Sequence, residues 1–558
     1  MSGAVGRFER IAVAVSMGLV TAALCAQPIP DEELTRRQAQ QREAIEERAG
    51  QAPDVFTPAG PAAPEALQFP RETPCFRIAG VDWRGAEPFP WLQDAEQEIV
   101  GRCVGARGLQ AVQKYLLRQL LERGYVTSRV LIPEQNLADG RLTVQLLPGR
   151  IGRIRVEGNN PGLTRLAFAA KEGEVLNQRD LDQSLENMRR LASQQGVEFD
   201  LVPGAEIGET DVVIRYPEER RWRGLLTLDD SGADETGKYQ MGAVMVFDSP
   251  FQLYDVLTLT LNNNLNYGNS RLGTNASSIS WNMPYGYWSF FLAANQSNYK
   301  QTVAGFGGDI EYSGRSYGVE AGIGYVPYRT SSAKGLLQFK LGRKASRSYV
   351  DDTEIDVQYR DVVGYDLNAT HRQYVGRGSL EFGIGLRGSL PHYSPEPGII
   401  VGAPAWDGRY RIKTASASLS VPFEIGRQSF RYSGSMRAQK ASTMVPASEY
   451  FMIGNRYTVR GFDGASTLAA EEGWLLRNEI AWPLPGQSHE LFLALDRGRV
   501  YGPQAAALIG RGLTGAAIGL RGAFGQFSYE ITIGRPVRKP DGFETKNTAV
   551  AASLMVAF

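Results

Sequence analysis

The sequence predicts two small α+β modules followed by a transmembrane antiparallel β-barrel of about 16 strands. The first observation is a change of period: after Pro217 the helical pattern disappears, and from 218 to 558 apolar residues recur at every second position. The second is composition. Glycine supplies 62 of 558 residues and aromatics 10%, which suits glycine-kinked strands bordered by aromatic girdles. The third is charge, with 60 Lys+Arg against 60 Asp+Glu, so no global field draws the chain to nucleic acid. Three cysteines and three histidines leave little material for metal clusters or thiol chemistry, and neither a metal nor a cofactor is expected.

Taken in order, the chain opens with Arg7 and Arg10 ahead of an uncharged stretch at 11–26, then Gln27-Pro28. This is the charged, apolar and small-residue pattern of a secretory signal, with cleavage expected after Ala26. A membrane anchor is the alternative, but 16 residues (11–26) fall short of the ~20 a spanning helix needs. Acylation at Cys25 is another, weakened because Leu24 stands where a small residue would be wanted. Cleavage leaves Cys75 and Cys103, an even pair in an oxidising compartment, so a disulfide is favoured over two buried thiols.

Residues 31–50 (DEELTRRQAQQREAIEERAG) are rich in helix formers with acids at the start. Leu34 and Ile45 are the only large aliphatics, so the helix belongs in water or a polar cavity. A Pro/Ala-rich stretch at 51–73 reads as a semi-rigid tether. From 74 to 150 strand and helix signals alternate (FRIAGVDWRG, WLQDAEQEIVGRC, GLQAVQKYLLRQLLERGY, SRVLIPEQ, GRLTVQLLPGRI), and 151–217 repeats them with IGRIRVEGN, LTRLAFAA, LNQRDLDQSLENMRRLAS, VEFDLVPG and TDVVIRYP. Two β-α-α-β-β modules follow one another.

Beyond 217, Leu257, Leu259 and Leu261 alternate with Thr258 and Thr260, and Phe382, Ile384 and Leu386 with Gly383, Gly385 and Arg387. An apolar face turned to lipid explains this better than an array of soluble sandwiches. The chain ends on Phe558, in phase with Leu554 and Val556, which marks a closing strand and an assembly signal.

Two enzyme-like strings are rejected. Residues 232–238 (GADETGK) have phosphate-loop spacing, yet Tyr239 replaces the Ser/Thr that would bind magnesium and a strand follows. Residues 314–318 (GRSYG) fit GxSxG but run into an alternating strand, so a hairpin turn is expected there. His371, His392 and His489 carry no ligand or acid-base spacing. No enzyme is expected.

The segment 450–480 is more informative. Val459-Arg460-Gly461-Phe462 resembles the VRG[FY] tetrad of two-partner secretion transporters of the outer membrane (the TpsB family, FhaC/ShlB type), and Asp496 with Gly498 resembles that family's [FG]xDxG signature, with Ala494 where the family carries Phe or Gly. Further matching pieces are PCFRIAGVDWRG with Cys103, GRLTVQLLPGRI, Asp229-Asp230-Ser231-Gly232 with Asp230 in place of Asn, and Met283-Pro284-Tyr285-Gly286. The resemblance covers essentially the whole mature chain. It implies that the two modules are periplasmic POTRA domains, that residues 27–50 form a plug helix in the pore, and that the tetrad lies at the tip of a long loop folded back into the barrel.

The residues support the last point independently. Leu491, Leu493 and Leu495 alternate with Phe492, Ala494 and Asp496, so if the leucines face lipid, Asp496 faces the lumen and wants a cation. Arg460 offers a planar fork, with Gly461 permitting a tight turn. The alternative is a solvated loop arginine. The function implied is export of a large TpsA-type exoprotein across the bacterial outer membrane without nucleotide hydrolysis, its N-terminal secretion domain adding a strand to POTRA edges. The other partners expected are the barrel assembly machinery and outer-membrane lipid, with no nucleic acid and a monomeric state. An assembly factor that inserts outer-membrane proteins is the alternative within the same superfamily. A porin would lack the modules. Whether the cargo is an adhesin, a haemolysin or a contact-dependent toxin is not written in the sequence.

Overall fold

A computed structural model describes residues 54–56, 66–234, 236–265, 272–305, 308–398, 407–486 and 488–558. The signal at 1–26, the polar helix at 31–50 and most of the tether lie outside the described residues.

The first module comprises β1 (Phe76–Arg77), β2 (Gly80–Arg84), α1 (Glu96–Ile99), β3 (Cys103–Val104), α2 (Ala106–Glu122), β4 (Arg129–Leu131) and β5 (Arg141–Leu147). In its sheet, β5 pairs parallel with β2 and antiparallel with β4. Val112, Leu116 and Leu120 recur at i, i+4 on α2 and are buried with Leu142, Val144 and Leu146 of β5. The helix N-terminus is capped from outside: the Glu72 carboxylate accepts from the amides of Gly105, Arg107 and Gly108, each at 2.8 Å. Desolvation opposes its charge, but these amides hold the carboxyl below its ordinary value. A disulfide joins Cys75 to Cys103 with a Cα–Cα distance of 5.4 Å.

The second module holds β6 (Arg150–Gly158), α3 (Thr164–Ala167), α4 (Gln178–Arg189), β7 (Glu198–Pro203) and β8 (Glu209–Tyr216). Its sheet repeats the plan, with β8 parallel to β6 and antiparallel to β7. Helix α4 departs from the plan of α2. Leu181 and Met188 enter the module core, yet Asp182, Gln183, Ser184 and Asn187 are buried too. Ser184 and Asp182 find partners inside the module, whereas Gln183 and Asn187 meet barrel turns: Arg329 donates to Gln183 at 3.0 Å, Asn187 donates to the Gly286 carbonyl at 2.8 Å, and beside them Tyr287 donates to Asp180 at 2.6 Å.

The barrel begins with β9 (Trp222–Asp229), β10 (Gln240–Asp248), β11 (Val256–Asn264) and β12 (Gly273–Tyr285). It continues through β13 (Trp288–Gly305), β14 (Gly308–Tyr325), β15 (Ala333–Val350), the short β16 (Thr353–Glu354) and β17 (Arg360–Val375). Next come β18 (Gly378–Ser389), β19 (Arg411–Ile425) and β20 (Gln428–Ala441), followed by the loop strands β21 (Phe451–Ile453) and β22 (Leu468–Ala470). The wall ends with β23 (Glu472–Pro483), β24 (His489–Tyr501), β25 (Gly512–Phe524), β26 (Phe527–Arg538) and β27 (Ala549–Ala557). Adjacent wall strands pair antiparallel and β27 returns to β9, a closed barrel of 16 strands. Closure reaches the last residue, where Phe558 and Gly224 exchange both backbone hydrogen bonds at 3.0 and 2.9 Å.

The outward phase is apolar: Leu261, Val319, Ile384, Leu493 and Ile533 are all exposed. Aromatic pairs sit where the strands meet the module side, among them Trp222 with Phe558 at 6.4 Å and Trp288 with Tyr325 at 4.4 Å. One expectation is corrected. The GRSYG string is not a turn but the interior of β14, with Gly314 opposite Tyr299 on one side and Ser348 on the other. Small residues there meet large neighbours: a Cβ on Gly314 would fall 2.3 Å from the Tyr299 ring.

Two outcomes test this description. In denatured, non-reduced protein, mass spectrometry should find neither Cys75 nor Cys103 open to alkylation, and replacing the pair with serine should cost the first module ~3 kcal/mol. Deleting Phe558 removes two closing hydrogen bonds, worth ~1 kcal/mol each. The heat-modifiable, membrane-inserted fraction should then fall, and an unchanged fraction would show that closure does not depend on this residue.

Candidate functional site

Between β20 and β23 the chain makes its longest described excursion, 442–471, and folds it against the inside of the wall. β21 and β22 pair with each other, and Ile453, Val459, Phe462 and Leu468 pack with Leu475, Val500, Leu513 and Phe543. Phe462 meets Phe543 edge-on at 5.7 Å. An apolar cluster therefore fastens a loop that would otherwise be solvated.

At its tip stands Arg460. Its Nε donates to Asp496 Oδ2 at 2.7 Å and its Nη2 to Oδ1 at 2.9 Å, a two-pronged bond. The Arg460 backbone amide adds a third bond to Oδ2 at 3.0 Å. Asp496 is 0% exposed, while Leu493 and Leu495 on the opposite phase are exposed. Alternation on β24 thus turns the carboxylate inward, and only a charged, multiply donating partner offsets its desolvation.

The close approach depends on glycine. Gly461 adopts φ +104°, a region costly for any other residue. Beneath it the wall is bare: a Cβ on Gly515 would lie 1.9 Å from the Arg460 carbonyl oxygen, and one on Gly534 2.6 Å from Gly461 Cα. Gly498 serves similarly two residues beyond Asp496, since a Cβ there would come 2.8 Å from Ile453. The aspartate supplies charge and the glycine supplies room.

The structure brings Val459, Arg460, Gly461, Phe462, Asp496 and Gly498 into one cluster. It also adds groups that sequence reasoning missed. Arg460 Nη1 donates to Glu479 at 2.5 Å, Arg521 Nη2 reaches the other oxygen of Glu479 at 2.6 Å, and Arg521 Nε bonds Glu490. Arg431 completes the chain at 2.9 Å from Glu490. Acid and base thus alternate from the loop tip toward the module-side mouth. A charged residue in the lumenal phase of a strand was the available signal; Glu479 lies opposite Ala494 in register, so both share the phase of Asp496.

Two further ties hold the loop. Asp230 accepts from Arg456 of the loop at 2.5 Å and from the Ala552 amide of β27 at 2.9 Å, so the DDSG segment joins loop and closing seam. Asp463 accepts from Thr545 at 2.9 Å. Cys75, Cys103 and Phe558 lie away from this cluster, in the first module and at the barrel's module-side edge. His371 and His489 lie in β17 and β24, and His392 in a 3-10 turn. Beside the loop a cavity of about 820 Å³ is bordered by polar residues such as Asn262, Asn295 and Ser297 and by apolar ones such as Ile384, Phe451 and Met452.

The sequence profile for "Haemolysin secretion/activation protein ShlB/FhaC/HecB" matches residues 208–522, and profiles for a ShlB-type POTRA domain and a second POTRA domain match 76–149 and 150–203. The outer membrane transporter CdiB-2 of Burkholderia pseudomallei is 33% identical over 546 residues, covering 94% of this chain and 92% of that protein. The hemolysin transporter protein ShlB of Serratia marcescens is 26% identical, over 83% and 84%. Among solved structures, CdiB from Escherichia coli superposes with a TM-score of 0.86 at 25% identity, covering 96% of this chain and all of that one (100%).

The fork geometry sets the outcome of substitution. Arg460→Ala or Asp496→Ala strands a charge in a partly dry lumen, at a cost of up to ~3 kcal/mol. Each should impair export to a similar degree with the barrel still assembled, and the double variant should be little worse. Arg460→Lys should not restore export, because an ammonium cannot reproduce the fork. A double-mutant cycle at equal outer-membrane levels decides; strictly additive losses would show that the two residues act separately.

Proposed function

The chain belongs to the ShlB/FhaC/HecB haemolysin secretion/activation family, and from that premise we propose how its parts carry out two-partner secretion. It is an outer-membrane transporter with its POTRA domains in the periplasm, and it exports an exoprotein partner. In our reading residues 1–26 direct export and are removed, 27–50 plug the pore at rest, and 51–73 tether the plug. Residues 74–150 and 151–217 receive the partner, and 218–558 conduct it. The partner's N-terminal secretion domain adds a strand to an open sheet edge. The edges on offer are β2 or β4 in the first module and β6 or β7 in the second, where main-chain hydrogen bonds recognise a chain with modest sequence demands.

The observation that carries the reading is the loop 442–471, fastened by the Arg460 fork inside a closed barrel whose rim turns are bonded to the second module. Serine, asparagine and glutamine side chains along the wall offer an extended chain hydrogen bonds. The fork keeps the loop against β24 to β26 and leaves the rest of the lumen to the passing chain. Folding of the partner outside supplies direction, with no nucleotide hydrolysed. Phe558 presents the finished chain to the assembly machinery, and one copy suffices for transport.

Expressed with an exoprotein that carries a secretion domain, the chain should release it to the medium; retention in the periplasm at normal transporter levels would overturn the reading. Removing residues 31–50 should raise single-channel conductance in planar bilayers and leave secretion largely intact, whereas identical conductance would place that segment outside the pore.

A further inference from the structure

Three consecutive residues of the tether, Asp54, Val55 and Phe56, are seated where α4 meets the barrel rim. The Asp54 carboxylate takes Lys334 Nζ on one oxygen and Arg372 Nη1 on the other, both at 2.5 Å, and Tyr374 adds a hydroxyl at 3.1 Å. The Val55 amide donates to Glu186 at 3.3 Å, and Arg329 donates to the Val55 carbonyl. Phe56 lies 4.7 Å from the Tyr374 ring, with the Arg329 guanidinium 5.0 Å from its own ring centroid.

An acid, both backbone polar groups and an aromatic ring are thus read by five side chains drawn from two domains. The tripeptide has no secondary structure of its own, so nothing local demands this conformation. The residues of the cradle are also bonded to one another. Glu186 accepts from Lys334 and from Arg329, each at 2.8 Å, and Arg372 also pairs with Glu381 at 2.5 Å. Without Asp54 the cradle holds three cations against two carboxylates, so its bound partner must bring an anion.

We propose that this seam is a peptide-binding site for an extended acidic–X–aromatic segment, occupied at rest by the chain's own tether. On the export reading above, a passing exoprotein stretch of the same pattern exchanges with the tether at this seam. Specificity follows from the chemistry: the paired cations demand a carboxylate, and Tyr374 with Arg329 prefers an aromatic face.

The test uses the full chain in detergent micelles and a fluorescent peptide of sequence APDVFTP, followed by anisotropy. Asp54→Ala with Phe56→Ala vacates the site without touching the barrel wall. The vacated protein should bind the peptide about tenfold more tightly than the wild type, whose tether competes at high effective concentration. A peptide with Asn in place of Asp should bind the vacated protein about tenfold more weakly, the loss expected of a charge-assisted pair. Adding Lys334→Gln and Arg372→Gln to the vacated protein should erase that preference. Should the double substitution fail to fold, Asp54→Asn alone serves, with a smaller gain in the same direction. Equal affinity of wild-type and vacated protein, or a preference for Asp that survives the loss of both cations, would overturn the proposal. Because no secretion is measured, either failure leaves the export reading untouched.

Discussion

Inside a bilayer no water is available to a backbone N–H or C=O, so a sheet that crosses it must close on itself. In this chain closure ends on its final residue, where Phe558 and Gly224 complete the ladder between the last strand and the first. Once the sheet is closed, period two assigns every wall residue to lipid or lumen. Leu493 and Leu495 go to lipid, and Asp496 goes to the lumen. The loop after β20 then has an interior to enter, and a charge that the loop buries against the wall needs a partner there.

The lumenal charges answer that need by pairing in series. Asp496 alone would be a buried, desolvated carboxylate, and Arg460 satisfies both of its oxygens with one side chain. The same guanidinium also serves Glu479, Arg521 links Glu479 to Glu490, and Arg431 ends the run. Such an alternation keeps each group hydrogen-bonded while the wall around it remains wettable. A loop tethered by ion pairs differs from one held only by apolar packing, because water and a passing polar chain can compete for the charges. The apolar cluster around Val459 and Phe462 sets where the loop sits, and the ion pairs set how firmly its tip is held.

The seam between the second module and the barrel follows the same economy of partners. Helix α2 buries one aliphatic stripe and leaves its other face to water. Helix α4 is buried on both sides, and its second side is polar where it meets the turns of the barrel rim. Gln183, Glu186 and Asn187 bond to the rim turns and to the start of β15, and Asp54 of the tether reaches across to β17. A module attached through hydrogen bonds and ion pairs is oriented by them without being sealed in place, as suits an element that a moving chain must pass.

Much of this was legible in the sequence. The period change after Pro217 announced the barrel, the aliphatic spacing of α2 announced a packed module, and the even count of cysteines after cleavage favoured the disulfide. Alternation turned Asp496 inward, while Arg460 was singled out by the resemblance of its tetrad to a family signature. These are local properties, set by periods of 2 and 3.6 residues and by backbone chemistry. The tertiary structure decided what local pattern cannot reach. GRSYG became strand interior because both its edges found partners. Gln183 and Asn187 of α4 were buried because barrel turns meet them, and Gly515 and Gly534 matter because a loop from elsewhere in the chain presses on them. Glu479, Arg521 and Glu490 became one network, and Asp54 found Lys334 and Arg372 some 280 to 318 positions away. Registers between distant strands determine which charges meet, and those registers exist only once the barrel has closed.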